Sequence, residues 1–253
     1  MINTATAIGF TIVFVATAAG AALVFFFGKT STGGAHGAAF SGLAAGIMVA
    51  ASVFSLLLPS IDGFSRYGDL AFLPTTIAFA LGGVFLSFTD VGVRKIMGSD
   101  EKDNTKYFKP GKMFSAMTVH NIPEGLAVGV AFGSAALGGS EQLAALALAI
   151  GIAVQNFPEG AAVSIPLRSE GISPLKAFLL GAASGLVEPI AAIVGFIFST
   201  STAWLLPYVM AFAAGTMIFV VVEDMTPSED KTKIYAWSFM IGFAIMMALD
   251  LTL

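Results

Sequence analysis

Two copies of one short motif carry most of the side chains in this sequence that could bind a metal ion. Residues 120–125 read His-Asn-Ile-Pro-Glu-Gly, and residues 155–160 read Gln-Asn-Phe-Pro-Glu-Gly. Residues three and four positions apart share one face of a helix, so His120 and Asn121 lie beside Glu124. The same spacing holds in the second copy for Gln155, Asn156 and Glu159.

Each motif also contains a proline. Pro123 and Pro158 lack a backbone N–H, and their rings crowd the carbonyl four residues earlier in a helix. The sequence therefore predicts two kinked helices, each with a freed carbonyl beside a carboxylate and a carboxamide. A third pair of this kind, Glu188-Pro189, follows further along the chain.

The three glutamates lie in apolar stretches that contain no Lys or Arg at the same depth. An ionised carboxylate in mid-membrane costs at least about 2.5 kcal/mol, so Glu124, Glu159 and Glu188 need bound cations or protons. One alternative is that they are protonated or water-exposed and only hold helices together. Carboxylates combined with one imidazole suit Zn²⁺, Fe²⁺, Mn²⁺ or Cd²⁺. Thiolate sites are excluded because the chain has no cysteine.

The composition places these motifs in a membrane. Apolar residues make up 57% of the 253 residues, charged residues only 11%, and the mean hydropathy is +0.88. A soluble domain carries about 25% charged residues. The first apolar run is too long for a signal peptide and lacks a basic start. We predict an all-α polytopic membrane protein in one domain, 1–253, with eight spans, at 3–27, 38–60, 71–95, 113–135, 142–166, 174–199, 204–224 and 234–252.

The basic residues predict the orientation of these spans. Every Lys and Arg except Arg66 lies in or beside the loops that follow spans 1, 3, 5 and 7. The positive-inside rule then places both termini outside. Residues 98–112 are predicted to form a basic cytoplasmic linker between spans 3 and 4.

Three classes of function remain open from the residues alone. An intramembrane hydrolase is disfavoured because the His-Glu-x-x-His pattern is absent and no nucleophile with a paired base is evident. A channel could use rings of carboxylates. Helices broken at mid-depth favour an alternating-access carrier. Met48, in span 2, is either a packing residue or a soft thioether ligand.

The two motifs, followed by Gly-Leu-Val-Glu-Pro at 185–189, resemble those of the ZIP (Zrt/Irt-like protein) family of divalent-metal transporters, in its GufA-like bacterial branch. The resemblance covers the whole chain. It implies inverted repeats of spans 1–3 and 6–8 around spans 4–5, an elevator-like or rocking exchange between two states, and homodimers.

The resemblance also implies roles for particular residues. It implies a first metal held by Met48, His120, Glu124, Gln155 and Glu159. A second metal would be held by Asn121, Asn156, Glu188 and the two shared glutamates. The metal entrance would lie at Ser55, Asp62 and Asp250, and the exit at Glu223 and Asp224.

This chain departs from some relatives at two places. Residues 98–112 contain no histidine, which speaks against metal sensing by that loop. Position 156 is Asn where some relatives have Asp, which speaks against a strongly held second metal.

These observations predict a transporter that moves Zn²⁺, and also Cd²⁺, inward across the cytoplasmic membrane of a prokaryote. An Fe²⁺ or Mn²⁺ carrier of the same fold is the nearest alternative. The expected partners are divalent metal ions, the lipid bilayer and a second copy of the chain. No enzyme activity, nucleic-acid partner or cofactor is expected, because the metal is cargo.

Overall fold

The computed structural model describes residues 3–26, 35–96, 108–138, 142–169, 171–226 and 232–252. These residues are helical almost throughout and include no strand. The α-helices are α1 (Thr4–Ala22), α2 (Ala35–Ala51), α3 (Leu58–Gly63), α4 (Phe72–Ile96), α5 (Phe108–Gly138), α6 (Gln142–Ser169), α7 (Pro174–Gly185), α8 (Val187–Thr202), α9 (Leu206–Asp224) and α10 (Thr232–Asp250). Short 3₁₀ segments lie at Leu23–Phe25, Ser65–Leu70 and Ala203–Leu205, and a π-helical segment lies at Ser52–Leu57.

The helices follow the predicted spans. Within the described residues, six helical stretches are long and apolar enough to cross a membrane, and Phe72–Phe88 is a shorter apolar helix. The prediction of an all-α polytopic membrane protein is confirmed, and the count of eight spans stays a prediction. Of the predicted linker, residues 98–107 lie outside the described residues, whereas 108–112 belong to α5.

The interruptions of the helices do not lie at the motif prolines. Both α5 and α6 continue as helices through Pro123 and Pro158, and the kinks predicted there stay a prediction. The regular α-helical geometry is interrupted instead between α2 and α3. There the ring of Pro59 crowds the carbonyl of Ser55, and the backbone widens into a π-helical segment. A second interruption separates α7 from α8 at Leu186.

The helices pack in four main pairs that repeat one arrangement. Helix α1 packs on α6 and α5 packs on α8, whereas α2 packs on α10 and α9 packs on α4. The helices fall into two equivalent sets, in which α1 corresponds to α7–α8, α2–α3 to α9, α4 to α10, and α5 to α6. When both helices of a pair are replaced by their equivalents, the result is another of the four pairs. This is the packing that inverted repeats around α5 and α6 require.

Glycines bring the members of each pair into backbone contact. In every pair, each helix contributes a glycine whose added Cβ would overlap the backbone of its partner. Small residues allow such close approach where lipid supplies no hydrophobic driving force between helices. The glycines are Gly20 and Gly160 for α1–α6, Gly129 and Gly195 for α5–α8, Gly46 and Gly242 for α2–α10, and Gly82 and Gly215 for α4–α9.

The pairs assemble into two bundles. The motif bundle consists of α1, α5, α6, α7 and α8, and the flanking bundle consists of α2, α3, α4, α9 and α10. The two bundles meet chiefly where α5 packs on α9 and α4, and where α6 packs on α2. Both copies of the predicted motif therefore lie in one bundle, close to its contact with the other.

Candidate metal centre

Three carboxylates lie deep inside the protein. Glu124, Glu159 and Glu188 are each at most 1% exposed. Among the residues whose side chains the structure describes, no lysine or arginine is buried. The protein therefore concentrates negative charge in its interior without a basic side chain in the described part to balance it, and such a place favours a cation.

One group of polar contacts forms around Gln155. Its Nε2 atom donates a hydrogen bond to Glu124 Oε1 at 2.8 Å, and also lies 3.5 Å from the sulfur of Met217. The hydroxyl of Ser52 donates to the carbonyl of Met48 at 2.8 Å and lies 3.6 Å from the same Met217 sulfur. All these side chains are buried. The group joins the two bundles, because Met48 and Met217 belong to α2 and α9 of the flanking bundle and Ser52 lies in the π-helical segment between α2 and α3.

A second group forms around Glu188. Its Oε1 accepts a hydrogen bond from Thr17 Oγ1 at 3.2 Å, and its Oε2 accepts one from Asn156 Nδ2. Glu159 lies near Glu188, and the two carboxylates would repel each other if both were ionised. Two donors on α1 and α6 hold the carboxylate of α8 in place.

Residues around Glu188 are related by the same inverted repeat as the helices. A Cβ added to Gly125, at the end of the first motif, would meet the backbone of Glu188. A Cβ added to Gly160, at the end of the second motif, would meet the backbone of Thr17. Thr17 and Glu188 are thus equivalent positions of the two repeats, and they hydrogen-bond to each other.

The two motif asparagines make equivalent contacts. Asn121 Nδ2 donates to the carbonyl of Ser184 at 3.0 Å, and Asn156 Nδ2 donates to the carbonyl of Val13 at 3.2 Å. Each acceptor lies one helical turn before the threonine or glutamate of the equivalent pair. The agreement extends the inverted repeat from the helices to single hydrogen bonds.

Three carboxamide oxygens are left over by these contacts. The Oδ1 atoms of Asn121 and Asn156 and the Oε1 atom of Gln155 are buried without a hydrogen-bond partner among the described residues. A buried acceptor without a partner costs about 1–3 kcal/mol. Amide oxygens together with carboxylates are suitable ligands for a divalent cation.

The part of the chain that carries the two motifs matches a known protein family. The family model for the ZIP Zinc transporter matches residues 111–250. The chain belongs to the ZIP family. It is 34% identical to "Zinc transporter ZIP11" of Xenopus tropicalis over 94% of both chains. It is 33% identical to "Zinc transporter GufA" of Myxococcus xanthus over 79% of this chain and 80% of the relative. It is 34% identical to "Zinc transporter ZIPB" of Bordetella bronchiseptica over 85% of this chain and 71% of the relative.

These matches confirm several expectations about this ZIP protein. The resemblance to the family and to its GufA-like bacterial members is confirmed. The relatives are named transporters, which supports a transporter and not an enzyme. Zinc is the metal that their names state.

The structure brings some of the predicted ligands of this ZIP protein together. Glu124 contacts Gln155, and Asn156 contacts Glu188. Asn121 and Glu159 are buried beside them, and Met48 lies in the same core cluster as Met217. The side chain of His120 lies outside the described residues. Among the described side chains, no three of His, Asp and Glu are close enough together to hold a metal ion by themselves.

The predicted entrance residues are partly brought together. Ser55, in the π-helical segment, donates to Asp250 Oδ1 at 2.6 Å at the end of α10. Gly151 of α6 completes this contact, since a Cβ there would lie 3.0 Å from Ser55 Oγ. Asp62 is exposed on α3 and is not part of the group. Of the predicted exit residues, Glu223 is exposed, and the side chain of Asp224 lies outside the described residues.

Sequence reasoning missed three residues of the centre. Thr17 and Ser52 carry common hydroxyl groups in apolar helices and give no signal of their own. Met217 did have a signal, because Ala-Ala-Gly-Ile-Met at 44–48 is repeated as Ala-Ala-Gly-Thr-Met at 213–217. Gly46 and Gly215, inside these copies, occupy equivalent places in their helix pairs.

Proposed function

We propose that this protein imports Zn²⁺, and also Cd²⁺, by alternating access, with an elevator-like movement of the motif bundle against the flanking bundle. The observation that carries the proposal is the group of buried carboxylates and amide oxygens on the motif bundle, at its contact with the flanking bundle. Carboxylate and amide ligands together with a thioether suit a borderline divalent metal better than calcium or magnesium.

The division of ligands between the bundles supports a carrier over a channel. Seven of the polar residues of the centre belong to the motif bundle, and they keep their mutual geometry if that bundle moves as one body: Thr17, Asn121, Glu124, Gln155, Asn156, Glu159 and Glu188. Glycine contacts fix the helices within each bundle, whereas the contact between bundles is less extensive. A channel has no need to place its ligands on one side of such a division.

Two apolar clefts flank the contact between the bundles. One is a cavity of about 430 Å³ beside Ile122 and Pro123, and the other, of about 460 Å³, lies beside Phe157 and Pro158. These residues are equivalent in the two motifs. Inverted repeats relate the two end states of a carrier by a pseudo-two-fold axis. Two clefts at equivalent places fit such a movement, because one can widen as the other narrows.

The site residues that we propose combine the two polar groups with the residues that the family resemblance implies. Met48, His120, Glu124, Gln155 and Glu159 are proposed to hold the transported ion. Asn121, Asn156 and Glu188, with the shared glutamates, are proposed to form a weaker second position. Ser55 and Asp250, with Asp62, are proposed to line the entrance, and Glu223 and Asp224 the exit.

The orientation that we propose places both termini outside the cytoplasmic membrane of a prokaryote. It rests on the distribution of Lys and Arg, all of which but Arg66 lie in or beside the loops that follow the predicted spans 1, 3, 5 and 7. The contact between Ser55 and Asp250 then faces outward, and α9 ends inward. The direction of transport from entrance to exit is therefore into the cytoplasm.

Metal uptake into proteoliposomes by Glu124→Gln and Glu159→Ala variants tests this function. Each change removes a buried anionic ligand that no neighbour can replace, so we expect uptake of Zn²⁺ and Cd²⁺ to fall to that of empty liposomes. The control is Asp69→Asn, which removes an exposed carboxylate. Wild-type uptake that saturates with metal and rises steeply with temperature supports a carrier, and non-saturating flux supports a channel. Undiminished uptake by either glutamate variant would contradict the assigned site.

A further inference from the structure

The sulfur of Met217 is a feature of the centre that the predicted ligand set does not include. Met217 is fully buried on α9. Its sulfur lies 3.5 Å from Gln155 Nε2, which at the same time donates to Glu124 Oε1 at 2.8 Å. The amide NH₂ group is therefore held between a carboxylate oxygen and a thioether sulfur.

The two atoms that the amide NH₂ group contacts, a carboxylate oxygen and a thioether sulfur, are also suitable ligands for a soft or borderline cation. An NH₂ group presents partial positive charge, and both of its partners offer lone pairs. The other end of the same amide, Gln155 Oε1, is buried without a hydrogen-bond partner among the described residues. Rotation of the amide about its last side-chain bond would turn this oxygen toward the carboxylate and the sulfur. A cation among them would have carboxylate oxygen, amide oxygen and thioether sulfur as ligands.

The inverted repeat gives Met217 a counterpart. The sequence Ala-Ala-Gly-x-Met occurs at 44–48 and at 213–217, and the glycines of the two copies make equivalent helix contacts. Met48 and Met217 therefore occupy equivalent positions on α2 and α9. Both are fully buried in the same core cluster.

The exchange of repeats also exchanges the two end states of an alternating-access carrier. When the motif bundle moves relative to the flanking bundle, one methionine moves away from the bound ion and the other comes close to it. An ion carried by the motif bundle therefore keeps one thioether ligand in both states, supplied by a different residue of the flanking bundle in each.

We propose that Met217 is a thioether ligand of the transported metal, used in alternation with Met48, and that the pair selects soft cations such as Cd²⁺ and Zn²⁺ over hard ones such as Mn²⁺. The proposal rests on the proposed transport function. Thioether sulfur favours soft metal ions, whereas Mn²⁺ prefers oxygen. A sulfur present in only one state would leave the ion to be selected by oxygen ligands alone in the other.

X-ray absorption at the cadmium edge tests the proposal directly. The chain has 11 methionines and no cysteine, so any sulfur bound to cadmium must come from methionine. The variants are Met217→Leu, Met48→Leu and the double variant, in chloride-free and thiol-free buffer. Met246→Leu is the matched control, because Met246 is equally buried but packs against Ile47, Ala50 and Ala51. Leucine keeps most of the side-chain volume, which protects the fold.

We expect sulfur in the cadmium shell of the wild type and of Met246→Leu, less of it in Met217→Leu, and none in the double variant. By calorimetry, Met217→Leu should weaken Cd²⁺ binding on the order of tenfold, a loss of about 1.4 kcal/mol. Binding of Mn²⁺ should change much less, because Mn²⁺ prefers oxygen ligands. Sulfur coordination of Met217→Leu equal to that of the control would overturn the role of Met217 and leave the proposed function standing. A wild type that binds no metal would overturn both.

Discussion

At the scale of single residues, Asn156 shows how one atom decides what the second position can hold. Its NH₂ group donates to Glu188 and to the carbonyl of Val13, so it stabilises the carboxylate without a metal. An oxygen in its place would face Glu188 with a second negative charge, near Glu159. Repulsion between like charges is strong where little water screens it.

We therefore expect Asn156→Asp to make the second position depend on metal. Purified mutant should contain nearer two ions per protomer than one, since two dications are then balanced by four carboxylates. In chelator its melting temperature should fall below that of the wild type, and saturating Zn²⁺ should raise it by more. Metal analysis and thermal unfolding in detergent measure both effects. Two tightly held ions in the wild type would contradict the charge argument, as would a single ion in the mutant.

The limits of sequence reasoning at this scale are physical. Glu124 and Gln155 stood out because charged and amide groups are expensive in lipid and need a reason to be there. Thr17 could not stand out, because a hydroxyl can bond to its own helix, as Thr17 also does with the carbonyl of Val13. Its contact with Glu188 depends on the packing of α1 against α8, which no local pattern encodes.

At the scale of helices, adjacent glycines on α4 offer a sharp test of backbone contact. A Cβ on Gly82 would overlap the carbonyl of Phe212 on α9, whereas the nearest atom to a Cβ on Gly83 lies at 3.7 Å, in ordinary contact. Overpacking of a close contact costs about 1–3 kcal/mol. Gly82→Ala should lower the melting temperature in detergent and Gly83→Ala should change it little. Equal effects of the two changes would mean that this contact does not hold α4 to α9.

Prolines illustrate why helix breaks were harder to predict than helix positions. Hydropathy located the long stretches well, because burying about 20 residues of backbone in lipid demands continuous hydrogen bonding. Pro59, Pro123, Pro158 and Pro189 all lack the N–H that an uninterrupted helix would use. Helices α5 and α6 nevertheless continue through Pro123 and Pro158, whereas the helix changes form before Pro59 and α7 ends before Pro189. A proline is present at all four places, so the proline alone does not decide the outcome, which depends on the neighbouring helices that compensate for the lost bond.

At the scale of the whole molecule, the proposed orientation can be tested with single cysteines. The natural chain has none, so any impermeant maleimide found on the purified protein after labelling of intact cells must be attached to the introduced cysteine. Asp69 and Lys176 are both exposed and lie in segments predicted on opposite sides of the membrane. We expect Asp69→Cys to react on intact cells and Lys176→Cys to react only after permeabilisation. The reverse pattern would invert the topology and the direction of entrance and exit.

The proposed movement of the two bundles makes a prediction about the clefts between them. Ile122 and Phe157 are equivalent motif residues, each 41% exposed, and each lines one cleft. A bulky group attached there would act as a wedge that keeps one bundle from sliding past the other. Ile122→Cys and Phe157→Cys should transport before modification and lose transport after complete reaction with a bulky, membrane-permeant maleimide.

Leu180→Cys is the matched control for this wedge, because Leu180 belongs to the motif bundle and is 38% exposed but lines neither cleft. Its modification adds the same bulk to the same bundle on a surface that faces away from the contact, so transport should continue. Mass spectrometry establishes that each cysteine has reacted fully, and uptake is measured on the same preparations. A rigid pore between fixed bundles would be indifferent to all three modifications. Transport that persists at Ile122 and Phe157 would therefore exclude the sliding movement, even if the metal ligands are correctly assigned.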